Sequence, residues 1–231
     1  VVSLLLAKEG VDANLATKTG RTPLYIAIKR GHTEVVSLLL AKEGVNVNQA
    51  NKDGVTPLNI ASQNGHTEVV SLLLAKEGVN VNQATKNGWT PLFIASAKGH
   101  TEVELLLLAK EGVDVNQANK NGETPLNIAS AKGHADVVPL LLAKEDVDVN
   151  LADITGWTPL NVASLKGRRK VVSLLLAKEG VDVNQANKEG ATPLDSAWKK
   201  GRTKMSSLLV SHGCAPAVHS WQDMGWEIPP H

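Results

Sequence analysis

The chain of 231 residues holds one cysteine, Cys214, one tyrosine and one phenylalanine. A lone cysteine excludes an intrachain disulfide and a cysteine-based zinc site, and it suits a reducing compartment. With so few aromatic rings, and with leucine, valine and alanine throughout, the core has to be aliphatic. Long apolar runs are missing as well. Segments such as Val35 to Ala41, interrupted by Ser37, fall well short of the roughly 20 residues that cross a bilayer, which predicts a soluble chain without a membrane partner. Neither sign of charge dominates, 24 basic against 23 acidic residues for a net charge of +1. Bulk charge therefore gives no reason to expect nucleic acid or an anionic membrane surface. No convergent nucleophile and base, phosphate-cradling glycine loop or zinc spacing is present, so no catalysis and no cofactor are expected.

What the chain has is repetition. Thr-Pro-Leu starts at Thr22, Thr56, Thr90, Thr124, Thr158 and Thr192, always 34 residues apart. A fixed period of this size marks a solenoid, in which each unit is too small to bury its own apolar face and stacks on its neighbours. Length then counts units rather than domains.

One unit, 51–84, shows the parts. Asn51-Lys52-Asp53-Gly54 is a tight-turn sequence, with Gly54 free to take a positive φ. Val79-Asn80-Val81-Asn82 alternates apolar and polar as a short extended arm does, so arm and turn predict a hairpin-like finger. Thr56 fits a helix N-cap and Pro57 the first helical position. A first helix is expected over Leu58 to Asn64, stopped by Gly65. Thr67 is expected to cap a second helix with Glu68 in its first turn. The stripe Val69, Val70, Leu72, Leu73 and Leu74 of that helix has to be buried against neighbouring units.

The succession Thr-Pro-Leu-x-Ile-Ala, Gly-His-Thr-Glu-Val-Val, Leu-Leu-Leu and Val-Asn resembles the ankyrin repeat. The resemblance implies an all-α solenoid of helix-turn-helix units with β-hairpin-like finger loops, over residues 1–213. It divides into a partial unit 1–16 and units 17–50, 51–84, 85–118, 119–152, 153–186 and 187–213, followed by a non-repeat tail 214–231. Val1 falls in mid-repeat, and more repeats are expected before it. The family's usual unit has 33 residues. The extra one here lies in Ala-Lys-Glu-Gly, as at Ala41 to Gly44, and is expected in the helix end or its loop with the stack intact. The family's histidine after Thr-Pro-Leu is replaced by Tyr25, Asn59, Phe93, Asn127, Asn161 and Asp195, so its hydrogen-bond ladder is altered, and Asn supplies part of it. Pro139 stands where other copies have serine and should bend or shorten its helix. The short last unit suits a capping repeat.

The resemblance implies a protein-binding module whose fingertips and first helices line a concave, partner-binding face. Residues that change between copies gather there. Arg21, Trp89, Glu123 and Trp157 follow a turn glycine and Asp53 precedes one, while Tyr25, Phe93, Leu165 and Trp198 break a small or polar pattern in the first helix. Trp89 and Trp157 are the leading anchors, since tryptophan offers a large rigid area and one donor. The alternative is a brace on the neighbouring finger. For Phe93 and Tyr25 packing in the groove is preferred over partner contact. Arg30, Lys98, Lys132 and Lys166, with Lys200, form a basic column that fits either an acidic partner or the negative ends of the first helices. His32, His66, His100 and His134 recur a whole unit apart, too far for one metal ion, and are expected to be hydrogen-bonded link residues. Asn48, Asn82, Asn116, Asn150 and Asn184 are expected to cap the finger turn. In the tail, Trp221 and Trp226 suggest a cover for the end of the stack or a docking segment. The expected role is a monomeric, cytoplasmic or nuclear scaffold for a protein or peptide. The alternatives are a recruiting or regulatory arm of a larger enzyme and, behind it, anion or nucleic-acid binding along the lysine column.

Overall fold

The computed structural model describes residues 2–8 and 10–217. Trp221 and Trp226, and with them the expectation of a covering tail, lie outside the described residues. Among the described residues there are thirteen α-helices and no strand, and no helix is long and apolar enough to cross a membrane. The chain forms two compact units, Val1–Lys120 and Asn121–His231. The first holds α1 (Val2–Leu6), α2 (Pro23–Arg30), α3 (Thr33–Ala41), α4 (Pro57–Asn64), α5 (Thr67–Leu74), α6 (Pro91–Lys98) and α7 (Thr101–Leu108). The second holds α8 (Pro125–Lys132), α9 (Val138–Leu142), α10 (Pro159–Lys166), α11 (Arg169–Leu176), α12 (Pro193–Trp198) and α13 (Thr203–Ser211).

Thr-Pro-Leu does the same work in every copy. Each threonine has extended backbone, and its hydroxyl accepts from the backbone N–H three residues on. Each proline then opens a helix where its missing N–H has no intrahelical partner. The leucines Leu24, Leu58, Leu92, Leu126, Leu160 and Leu194 are fully buried. In the first unit α2 packs on α4 and α4 on α6; in the second, α8 packs on α10 and α10 on α12. Each inner helix also pairs with the outer helix that follows it, whose Leu39, Leu73, Leu107, Leu141, Leu175 and Leu209 complete the aliphatic seam.

Thr67 does not cap the second helix. His66 occupies that N-cap without a side-chain cap bond, and Thr67 is already the first helical residue. The link residue reaches to the preceding repeat instead: His100 Nε2 donates to the Gln63 carbonyl at 3.2 Å. Where the link carries arginine, Arg168 and Arg202 donate through Nε to Ala131 and Leu165 in the same way, each at 3.1 Å.

At the end of each outer helix the chain closes alike with or without the extra residue of the 34-residue period, His212 N–H bonding to Leu209 O in the short last unit. There the N–H of Lys76, Lys110 and Lys178 bonds back to Leu73, Leu107 and Leu175. Two of these lysines also reach backwards with their side chains. The Lys110 ammonium donates to the Leu74 carbonyl at 2.9 Å and that of Lys178 to Leu142 at 2.8 Å, supplying cations to carbonyls left unpaired at helix C-termini. Pro139 shortens its helix, with α9 starting only at Val138 after a run of turns.

The fingers are turns rather than strands. Asn51 and Val55 close one through Asn51 N–H to Val55 O (3.0 Å), and neighbouring fingers join by single backbone bonds such as Lys86 N–H to Asp53 O (2.9 Å). Gly54, at φ 78°, packs so closely on the next finger that a Cβ would lie 2.8 Å from Lys86 N. The side chains of Asn48, Asn82, Asn150 and Asn184 reach forward along the chain rather than capping their own turns. The capping bond comes from the residue two earlier, as when Asn80 Oδ1 accepts from Asn82 N–H. The Asn82 side chain reaches forward, donating to Gly112 O at 2.6 Å and accepting from Asp114 N–H at 2.9 Å.

Candidate partner-binding surface

In the first unit the fingers carrying Arg21, Val55 and Trp89 are joined in order by backbone bonds from Lys52 to Thr19 and from Lys86 to Asp53. Their tips therefore form a row beside α2, α4 and α6. Two of the tip residues, Arg21 and Trp89, sit over the residue four positions later in their own repeat. The Arg21 guanidinium lies 6.0 Å from the centroid of the Tyr25 ring. The Trp89 and Phe93 rings stack at 6.2 Å with an interplanar angle of 15°. Tyr25 and Phe93 are buried, whereas Trp89 remains 43% exposed and Arg21 half-buried. The buried ring is thus a platform and the fingertip residue its accessible face. Asp53, Arg30 and Lys98 are exposed.

The backbone of Trp89 is fixed on three sides. Its N–H donates to Thr85 Oγ1 (3.2 Å), and its carbonyl accepts from Thr85 N–H (3.0 Å) and from Asn59 Nδ2 (3.4 Å). Asn59, standing in the family's histidine place, so ties its inner helix to the next finger.

The second unit repeats this arrangement with different side chains. Fingers bearing Glu123, Trp157 and Ala191 are joined by Ile154 N–H to Asn121 O and Lys188 N–H to Thr155 O. Trp157 donates through its N–H to Asp153 Oδ1 at 3.0 Å and accepts at its carbonyl from Asn127 Nδ2 at 3.2 Å. Asn161, four positions later, is buried and donates to Gln185 O at 2.9 Å. Trp157, Glu123 and Leu165 are half-buried, and Lys132 and Lys166 exposed. Trp198 is half-buried at the end of α12, where it lines a cleft of about 520 Å³ with Ser206 and Val210.

Arg30, Lys98, Lys132 and Lys166 each lie in the last turn of an inner helix, where the dipole favours a cation. Their place in the fold is accounted for by that alone. Among the described residues no group of three or more His, Cys, Asp or Glu side chains is arranged to hold a metal ion.

Two features escape a reading of single repeats. Glu104 takes a place held by valine in most other copies and is fully buried, with Oε1 accepting from Ser96 Oγ at 2.7 Å. Burial pushes its carboxyl up to about 8, and the serine bond offsets only part of this. The other feature is a sign inversion along the 34-residue period. Glu34, Glu68, Glu102 and Asp136 are followed at the same place by Lys170 and Lys204. Lys170 and Lys204 lie in the first turns of α11 and α13, where a cation opposes the helix dipole at about 0.3–1 kcal/mol each. Aligning the chain on its own period is the signal that reveals it.

The sequence profile described as ankyrin repeats matches the chain in three copies, over residues 1–85, 74–153 and 145–219. No curated protein matches it in sequence. Among solved structures, the crystal structure of EF0377, an ankyrin repeat protein, is similar with a TM-score of 0.75 and 29% identity, over 84% of this chain and 98% of that one.

Proposed function

The chain belongs to the ankyrin-repeat family, and on that premise we propose that it is a scaffold that binds a protein or peptide on a concave face made by its fingertips and inner helices. One observation carries the assignment of the site. The Trp89 indole is exposed, with Phe93 stacked beneath it and its backbone held by Thr85 and Asn59. A rigid aromatic surface loses little entropy on binding, which is what a hot-spot anchor needs. Trp157 has its backbone held in the same manner and serves as the second anchor. Arg21, Asp53 and Glu123 supply charge on the fingers, and Leu165 and Trp198 apolar area on the inner helices. No catalytic step is assigned to any of them.

The test is affinity capture with the full chain against Trp89→Ala/Trp157→Ala, read by mass spectrometry, with the melting temperature measured in parallel. Loss of captured proteins at unchanged melting temperature is expected. Unchanged capture with a lowered melting temperature would turn both residues into braces and end the assignment.

A further inference from the structure

One of the inverted positions, Lys204, lines a cleft in the second unit that the finger surface does not use, and Arg169, the neighbour of the other, lines it too. It has a volume of about 390 Å³ and is lined by Arg169, Lys200, Arg202 and Lys204, with Met205 among the remaining lining residues. No carboxylate and no aromatic ring is among its lining residues. Arg202 is oriented by its Nε bond to the Leu165 carbonyl, while Arg169, Lys200 and Lys204 are exposed and Lys170 stands exposed beside Arg169.

The dipole accounts for cations at the ends of the inner helices, but it opposes those in the first turns of α11 and α13. The upstream copies show what the fold itself prefers there, Thr-Glu at Thr33-Glu34, Thr67-Glu68 and Thr101-Glu102. Arg169-Lys170 and the lysine of Thr203-Lys204 therefore act against local helix stability, and Arg169 and Lys204 bring like charges to one cleft. An anionic partner relieves both penalties at once.

We infer that this cleft is a second docking surface, for a short acidic peptide segment of a partner protein. Four cations around a cleft of this size suit a few adjacent carboxylates, and arginine and lysine together give forked and point-charge contacts. A nucleic-acid strand is the weaker fit, because the lining offers no ring on which a base stacks. The inference rests on the reading of the chain as a protein-binding scaffold. It concerns a surface separate from the Trp89 and Trp157 fingertips.

Fluorescence anisotropy of a labelled decaglutamate peptide with the full chain tests it. Arg169→Thr and Lys204→Glu both install residues that the upstream copies carry, so the double variant keeps its fold and its melting temperature holds or rises. Expected are binding that weakens as salt rises from low to physiological strength and a roughly tenfold loss of affinity in that variant. Trp89→Ala/Trp157→Ala should leave the peptide's affinity unchanged. Lys204→Gln, which removes charge without reversing it, should give a smaller loss. Equal affinity of native chain and double variant, no binding by the native chain, or tighter binding of decathymidylate than of the peptide each overturns the inference. Capture through the tryptophans is read separately, so failure here leaves the finger assignment standing, and the reverse.

Discussion

The indole of Trp89 stacks on the ring of Phe93, centroids 6.2 Å apart and planes within 15° of parallel, and the two residues share the contact unequally. Phe93 is buried and Trp89 is 43% exposed. Truncating the platform should therefore cost more than truncating what rests on it. Phe93→Ala is expected to destabilise by about 3–5 kcal/mol, and Trp89→Ala by about 1 kcal/mol or less. Urea unfolding midpoints decide the matter, and equal losses would mean that Trp89 belongs to the core.

Glu104 makes stability depend on pH in a direction opposite to that of a salt-bridged carboxylate. Its folded-state value is raised from 4.5 to about 8, chiefly by burial. The folded chain thus holds a proton that the unfolded chain releases. The stability contributed by Glu104 is fully present below about pH 4.5, falls as pH rises towards 8, and levels off above, a total loss on the order of 5 kcal/mol. Glu104→Val, matching Val70 and Val138, should abolish this dependence and be markedly more stable at pH 9. Unfolding midpoints at pH 5, 7 and 9 for both chains provide the check. A native chain whose stability does not fall between pH 5 and 8 contradicts the assignment.

The scaffold was legible because its determinants are local. A threonine cap, a proline at the first helical position and a left-handed glycine act within four residues of themselves, so Thr56, Pro57 and Gly65 announce α4 without any neighbour. The same locality misled at Thr67 and Asn82. Each has a good local partner, but the structure gives Thr67 a helical position and turns Asn82 towards Gly112 and Asp114, 30 and 32 residues on. Glu104 was hidden for a related reason. In Thr-Glu-Val-Glu it passes for a second exposed acid, although its place in the period is that of Val70, and the bond from Ser96 of the inner helix shows that it points inwards. The candidate anchors were visible as variation after each turn glycine, whereas the ring beneath Trp89 becomes a platform only in three dimensions.

Pro139 offers a direct test of the shortened helix. Its ring lacks a donor and replaces the serine found at Ser71 and Ser173, and α9 accordingly has five residues against eight in α5 and α11. Pro139→Ser should let the helix begin near Ala135. The expected signs are an increase in helical circular dichroism and a stabilisation on the order of 1 kcal/mol. Unchanged helicity would place the cause in Ala135-Asp136 instead.

Asn82 tests the forward clasp between fingers. Its amide satisfies one carbonyl and one N–H of the next repeat, Gly112 O and Asp114 N, whereas the side chain of Asn80 accepts from Asn82 N–H within its own turn. Asn82→Ala removes two hydrogen bonds to another repeat, whose exposed backbone groups water then solvates, and should cost about 1–3 kcal/mol, against roughly 0.5–1.5 kcal/mol for the single bond lost in Asn80→Ala. Asn82→Asp keeps the acceptor but turns the donor into a second oxygen facing the Gly112 carbonyl, so it should be no better than alanine. Hydrogen exchange at the Asp114 amide separates the possibilities. It should accelerate in Asn82→Ala and stay slow in Asn80→Ala; equal protection in both would show that Asn82 does not carry the clasp.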